Sequence, residues 1–286
     1  MHTLDQLNTM SPDAFVAALD GVFEHAPWVA ETAAAQRPFA TVNALHDALM
    51  AVVHAAPADA CTGFLRGHPP LSPKALADPS LTASSRTEQG SLGMTSLGEQ
   101  LHRFETASAA YESRFGFPFI VCVRRQTPPF VLRGLERRLA NAPDQERAAA
   151  LAEIGYITRL RLVDRLTGPG MPQTTGHLSA HVLDTARGKA AEGIRIELLR
   201  EGVLIKAAVT NHDGRTEAPL LADGPLRIGR YELRFHVEDH YKDWPNVTDP
   251  PWHDVIPIRF GVAEPEGHYH IPLLLGSWTY TTYRGS

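Results

Sequence analysis

The feature that most constrains this chain is a ten-residue stretch that no regular element can cross. Thr167-Gly168-Pro169-Gly170-Met171-Pro172-Gln173-Thr174-Thr175-Gly176 contains three glycines and two prolines. Proline lacks an amide donor and glycine is costly to order, so a continuous helix or strand through this segment is disfavoured. It divides the 286 residues into two segments of ordinary domain size. Domains are therefore expected at 1–166 and 177–286, with 167–176 as the linker.

The text on either side has a different period. Upstream, Ser11-Pro12 predicts an N-cap followed by proline at the first helical position, with Phe15, Leu19 and Val22 as the apolar stripe. A longer helix is expected from about Thr95 to Phe115, carried by Leu97, Leu101, Phe104, Tyr111 and Phe115 and ended by Gly116. Another is expected from about Pro143 to Leu166, with Leu151, Ile154, Ile157, Leu160 and Val163 facing inward. Downstream, strands are expected at about 178–184, 194–200, 203–210, 229–237, 254–260, 268–275 and 277–283, with a strong turn at Asn211-His212-Asp213-Gly214. The fold class is multidomain: an all-α helical bundle followed by an all-β two-sheet sandwich.

Charge and cysteines narrow the function. The chain carries 27 basic and 32 acidic residues, a net charge of -5, and neither half has the basic excess that a nucleic-acid surface needs. Cys61 and Cys122 are too far apart in sequence for a metal-type pair, and two cysteines make no disulfide framework. The N-terminus lacks a basic region followed by an apolar core, and there is no run of about 18 apolar residues. A cytoplasmic protein that binds neither nucleic acid nor membrane is expected.

In the first segment three places stand out. His68 lies in Arg66-Gly67-His68-Pro69-Pro70, where prolines restrict the backbone. Ser85, Glu88 and Gln89 form a polar cluster, which reads either as a capping box or as one face of a functional helix. Arg161 sits near the end of the last helix. Gly67-His68-Pro69, Ser85-x-x-Glu88-Gln89, Tyr111-Glu112-x-x-Phe115-Gly116-Phe117-Pro118-Phe119-Ile120 and Ile157-x-x-Leu160-Arg161-Leu162, in this order, resemble OHCU decarboxylase, which acts on 2-oxo-4-hydroxy-4-carboxy-5-ureidoimidazoline. The resemblance covers roughly residues 5–166. It implies that His68 is catalytic, that Pro69, Ser85, Glu88, Gln89 and Arg161 bind and orient the substrate, and that Phe119 and Ile120 give backbone contacts.

The second segment holds eight of the fourteen histidines, and His268 and His270 share one face of a strand. Ser179-Ala180-His181-Val182-Leu183-Asp184-Thr185, Thr210-Asn211-His212-Asp213-Gly214-Arg215, Tyr269-His270-Ile271-Pro272 and the terminal Tyr283-Arg284-Gly285-Ser286 resemble 5-hydroxyisourate hydrolase of the transthyretin-like family. This implies a catalytic group of His181, Arg215, His270 and Ser286, with Tyr283, Arg284 and Gly285 lining the same pocket. A histidine near neutral pKa can take a proton from water while an arginine stabilises oxygen charge. Which histidine is base and which is acid stays open.

Together the resemblances imply a bifunctional enzyme that opens 5-hydroxyisourate and decarboxylates the product to S-allantoin, without metal or organic cofactor. Its partners would be ureide and purine-derived small molecules and copies of itself. A homotetramer through the C-terminal domains is expected, with dimer contacts of the N-terminal ones. Two other readings stand beside it. One is a transthyretin-like binding module on a helical scaffold; the other is a zinc amidohydrolase using His181, His268 and His270.

Overall fold

Small polar caps and prolines set where the helices begin. The computed structural model describes residues 1–72, 81–245 and 247–285, and the chain divides into two units, Met1–Thr174 and Thr175–Ser286. The first contains β1 (His2–Thr3), α1 (Leu4–Thr9), α2 (Pro12–Ala18), α3 (Pro27–Ala33), α4 (Val42–Ala55), α5 (Ala58–Arg66), α6 (Ala83–Leu92), α7 (Gln100–Phe115), α8 (Pro128–Arg138), α9 (Pro143–Val163) and β2 (Leu166–Thr167). Proline opens α2, α3, α8 and α9, where its missing N–H has no intrahelical partner to lose. Ser11 caps α2 and accepts from the Ala14 amide, as the sequence predicts.

The core of this unit forms where apolar positions recur every three or four residues. Val42, Leu45, Leu49 and Val53 of α4 are buried, as are Val131, Leu132 and Leu135 of α8 and Leu151 and Ile154 of α9. Phe15, Leu19 and Val22 join them. Two helix bounds differ from expectation. The helix predicted from Thr95 begins at Gln100, because Gly98 at φ +53° takes the chain out of the helix after a short 3-10 turn, Met94–Leu97. The last helix stops at Val163, and Leu166 instead pairs in parallel with His2. Just beyond, the carbonyls of Pro169 and Gly170 accept from the amides of Val42 and Asn43 at 2.9 and 3.0 Å. Two otherwise unpartnered N–H groups at the start of α4 are thereby satisfied.

The second unit is a sandwich of two four-stranded sheets. Its strands are β3 (His177–Asp184), β4 (Lys189–Ala190), β5 (Arg195–Arg200), β6 (Val203–Val209), β7 (Gly229–His236), β8 (Val255–Val262), β9 (His268–Leu275) and β10 (Tyr280–Thr282). The sheet orders are β10-β9-β3-β4 and β6-β5-β7-β8. All seven predicted strands are present; the two-residue β4 is additional, and β10 is shorter than expected. Strand alternation puts Leu178, Ala180 and Val182 of β3 and Tyr269, Ile271 and Leu273 of β9 in the core. Ile196, Leu198, Leu233 and Phe235 face them from the other sheet. β3 and β9 run parallel, pairing His177 with His268, Ser179 with His270 and His181 with Pro272. These residues therefore share the outer face. Among the described residues, no single helix is long and apolar enough to cross a membrane.

Asp184 ends β3 as a buried carboxylate. It accepts from the Arg187 side chain at 2.7 Å, the Arg187 amide at 2.9 Å, His240 Nε2 at 2.9 Å and the Tyr241 hydroxyl at 2.8 Å. Burial alone would raise its pKa, but these hydrogen bonds outweigh burial and bring it down to about 2. A depressed carboxylate stabilises the fold above its unfolded pKa near 3.8, and that contribution fades as pH falls from about 4 towards 2. Asp184→Asn is expected to cost about 3 kcal/mol at neutral pH and to flatten the acid limb of the stability curve, as measured by urea denaturation from pH 7 to pH 3. An unchanged acid limb would remove Asp184 as its cause.

Candidate active sites

The helical site begins where α5 ends. His68 follows the last turn of that helix, and its Nδ1–H donates to the Phe64 carbonyl at 3.2 Å. Its ring meets the Phe64 ring edge-on, with centroids 5.0 Å apart. Because a carbonyl only accepts, this bond assigns the proton of the neutral ring to Nδ1 and leaves Nε2 as an acceptor. Burial lowers the His68 pKa to about 4, against smaller raising effects from the Phe64 bond and Glu24. The imidazole is therefore neutral at physiological pH.

Helix α6 supplies the polar face. Thr82 is its N-cap and accepts from the Ser85 amide. Ser85-x-x-Glu88 is thus not a capping box, and Ser85, Glu88 and Gln89 are left on one side of the helix. Gln89 is buried, with Nε2 3.5 Å from the Pro70 carbonyl and Oε1 without a partner among the described residues. That buried acceptor is open to a ligand N–H. Arg161 of α9 forks onto Glu88, Nε to Oε1 at 3.1 Å and Nη2 to Oε2 at 2.8 Å.

A residue that sequence reasoning missed completes this set. Glu24 is buried and accepts from Arg161 Nη1 at 2.8 Å, Ser85 Oγ at 2.9 Å and Thr82 Oγ1 at 2.7 Å. Burial raises its pKa, but Arg161 and the two hydroxyls more than compensate and hold it below the usual carboxylate range. No local pattern marks Glu24, since its partners lie 58 to 137 residues away.

The segment carrying Phe119 and Ile120 is held from behind. Arg138 donates to the Ile120 carbonyl at 2.8 Å and lies over the Phe119 ring at 4.7 Å. Glu146 fixes Arg138 and also accepts from Tyr111. The Ile120 carbonyl therefore already accepts one hydrogen bond, from Arg138. His68, Pro69, Ser85, Glu88, Gln89, Phe119, Ile120 and Arg161 all line one cleft.

The sandwich site lies on the outer face of β3 and β9. His181 Nε2–H donates to the Asp213 carbonyl at 2.9 Å, which leaves Nδ1 as the acceptor of the neutral ring. His270 Nδ1 is 2.9 Å from Ser179 Oγ, and that oxygen is 3.4 Å from His268 Nε2. Ser179 is the second residue that sequence reasoning passed over, although it stands in the same alternation as His181. The rings of His181 and His270 are 6.3 Å apart. Burial first, then the charge of Arg215, lower both pKa values, and His181 adds to the effect on His270.

Arg215 is brought in by the predicted turn. Asn211 Oδ1 accepts from the amides of Asp213 and Arg215 at 3.1 and 3.2 Å, and Gly214 sits at φ +73°. A side chain at Gly214 would place Cβ 2.2 Å from the Val182 carbonyl, on a turn whose Gly214 carbonyl accepts from the Val182 amide at 2.8 Å. At the other edge, the Gly285 amide donates to the His270 carbonyl at 2.8 Å. Arg284 lies over the Tyr269 ring at 4.4 Å and reaches Glu264 at 3.4 Å, while Tyr283 is exposed. Ser286 lies outside the described residues. His268, His270 and His181 stand in a row with 6.3 Å between neighbouring ring centres. Among the described residues, no three His, Cys, Asp or Glu side chains converge as a metal site.

A helical unit with a neutral histidine facing a carboxylate–guanidinium pair, joined to a transthyretin-like sandwich with two histidines and an arginine on one sheet face, defines a two-domain enzyme class. The OHCU decarboxylase family model matches residues 8–163 and the HIUase/Transthyretin family model residues 178–285; the chain belongs to both families. The second segment is 51% identical over 118 residues to the 5-hydroxyisourate hydrolase of Deinococcus radiodurans, covering 39% of this chain and 99% of that one. The first is 36% identical over 170 residues to the 2-oxo-4-hydroxy-4-carboxy-5-ureidoimidazoline decarboxylase of Haloferax volcanii, covering 58% of this chain and 99% of that one. Over the full length of both chains, the structure is similar to a crystal structure of (S)-allantoin synthase, at 32% identity and a TM-score of 0.53.

The buried imidazole gives a direct test by NMR. In a histidine-selective 15N titration, His68 is expected to stay neutral and Nδ1-protonated until pH falls to about 4. A midpoint at or above 6.5, or an Nε2-protonated tautomer, would contradict the assignment.

Proposed function

We propose that this chain performs two consecutive steps of urate breakdown: hydrolysis of 5-hydroxyisourate in the sandwich unit and decarboxylation of the product to S-allantoin in the helical unit. The observation that carries the reading is the convergence of eight side chains, from α6, α9 and the segments after α5 and α7, on one cleft around the neutral His68.

In the sandwich, water attacks a ring carbonyl of 5-hydroxyisourate. A neutral imidazole takes the water proton; Nδ1 of His181 is the acceptor that the Asp213 carbonyl leaves free. Arg215 stabilises the tetrahedral oxygen. When the carbon–nitrogen bond breaks, the departing nitrogen receives a proton, and His270 or the Ser286 hydroxyl can supply it. Tyr283, Arg284 and Gly285 line the pocket. The product carries a new carboxylate.

In the cleft, Glu88 and the unpartnered Gln89 Oε1 accept from ring and ureido N–H groups, while Ser85, Pro69, Phe119, Ile120 and Arg161 complete its walls. His68 Nε2 accepts the proton of the substrate hydroxyl. The bond to the carboxyl carbon breaks and CO2 leaves. Its electron pair passes into the adjacent ring carbon–nitrogen double bond, and the ring takes up two protons, the one held by His68 and one from solvent. Delocalisation supplies the electron sink, so this step needs no metal or organic cofactor.

Exposure supports the expected assembly. Arg215, His268 and Tyr283 are exposed, as are Trp278 and Tyr280. An open catalytic face with exposed aromatics fits a homotetramer that closes its sites through the sandwich units. The helical unit also has a cleft lined by Trp28, Val52, Pro57 and Phe64, which suits the dimer contacts expected of it. The two buried, unpaired cysteines fit a cytoplasmic location.

A time course with fresh 5-hydroxyisourate, followed by 13C NMR and circular dichroism, tests the reading. The parent chain is expected to yield S-allantoin well above the buffer blank. His68→Asn is expected to accumulate the ureidoimidazoline, with the second step slowed about 100-fold or more. His270→Asn is expected to block the first step and leave the second intact when its substrate is supplied. Loss of 5-hydroxyisourate no faster than in buffer would return the binding-module reading to first place.

A further inference from the structure

Arg161 has no hydrogen left to give a substrate. A guanidinium carries five N–H donors in a fixed plane. Nε donates to Glu88 Oε1 at 3.1 Å; Nη2 donates to Glu88 Oε2 at 2.8 Å and Ser85 Oγ at 2.9 Å; Nη1 donates to Glu24 Oε2 at 2.8 Å and the Gly21 carbonyl at 3.2 Å. Ser85 Oγ in turn donates to Glu24 Oε2 at 2.9 Å, and Thr82 donates to Glu24 Oε1 at 2.7 Å. The donors are matched one to one. Glu24 closes the set from outside the cleft, since it is not among the residues lining it. With His68 neutral, two carboxylates and one guanidinium give this cluster a charge of minus one.

We infer that Glu24 is a positioning residue that withholds Arg161 from the substrate carboxylate, so that this carboxylate enters the cleft without a cationic partner. The inference rests on the reading that the cleft decarboxylates. An ion pair between Arg161 and that carboxylate would be strongest before the bond breaks and would vanish as neutral CO2 leaves. It would stabilise the ground state more than the transition state and slow the reaction. An excess of negative charge does the reverse, because repulsion is relieved as charge spreads from the carboxylate into the ring. Glu24 achieves this through Arg161, by occupying Nη1 and keeping the fork turned onto Glu88.

The signature is a split between KM and kcat. For Glu24→Gln in the full chain, with the ureidoimidazoline supplied by a separate excess of hydrolase, KM is expected to fall about tenfold and kcat to fall at least as much. Glu24→Asp keeps the charge and is expected to stay within about threefold of the parent kcat. A raised KM in Glu24→Gln, a lowered kcat at unchanged KM, or equal damage in both variants would overturn the inference. A measurement on the parent alone guards against a variant that does not fold: hydantoin-5-acetate should bind no more tightly than hydantoin. A tenfold gain from its carboxylate would overturn the inference. If the parent itself fails to decarboxylate, the functional reading falls; if it decarboxylates and the split is absent, only the role of Glu24 falls.

Discussion

A main-chain carbonyl that can only accept a hydrogen bond fixes a candidate histidine in each unit, and both proposed chemistries depend on that constraint. The Phe64 carbonyl takes Nδ1–H of His68, and the Asp213 carbonyl takes Nε2–H of His181. Each ring is left with one defined acceptor nitrogen. The carbonyls themselves are placed by ordinary local structure: the last turn of α5 in one case, and the Asn211–Arg215 turn in the other. The Phe64 carbonyl takes His68 beside a bond from the Gly67 amide at 3.2 Å, and tight turns point their carbonyls outward, so such places can orient an imidazole without adding a second titratable group.

Buried charge does the remaining work in the helical unit, and it is tolerable because it is fully paired. Isolating Arg161 or Glu24 from water without partners would cost several kcal/mol per ion. Here every guanidinium donor has an acceptor, and both Glu24 oxygens accept from hydroxyls as well. The cluster ties α6 to α9 and to the turn before α3. A second buried set, Tyr111, Arg138, Asn141 and Glu146, performs the same service for the segment after α7. One network sets the polar wall of the cleft, and the other sets its apolar wall.

What could be read in the sequence follows from how local each signal is. Ser11-Pro12, the seven main strands and the Asn211-Gly214 turn are encoded within a few residues, and they stand where periodicity and turn chemistry place them. Gly98 was passed over because glycine within an apolar period is tolerated as often as it breaks a helix. Ser179 became visible only through the parallel register that sets it beside His270, and Glu24 only through contacts spanning most of the helical unit. A depressed histidine pKa does not by itself separate site from core: burial also lowers His46 to about 4, and it packs against Thr158 in the interior. The eight cleft residues were recognisable by the order of their motifs, whereas the partners that orient them were not.

The electrostatics of the two sites match the fate of one carboxylate. In the sandwich, Arg215 stands beside two histidines that it helps to keep neutral, so the face is cationic where hydrolysis creates negative oxygen. In the cleft, Arg161 is enclosed by Glu24 and Glu88, so the balance is anionic where the same carboxylate is to be lost. Arg215 and Arg161 act in opposite senses, and the effect of each is set by what surrounds it. On the proposed mechanism, an exposed arginine favours formation of an anion; one buried and outnumbered by carboxylates orients Glu88 and leaves the anion to depart as neutral CO2. Equal and opposite steps in charge thus need no difference in residue type, only a difference in how many acceptors the fold places around the guanidinium.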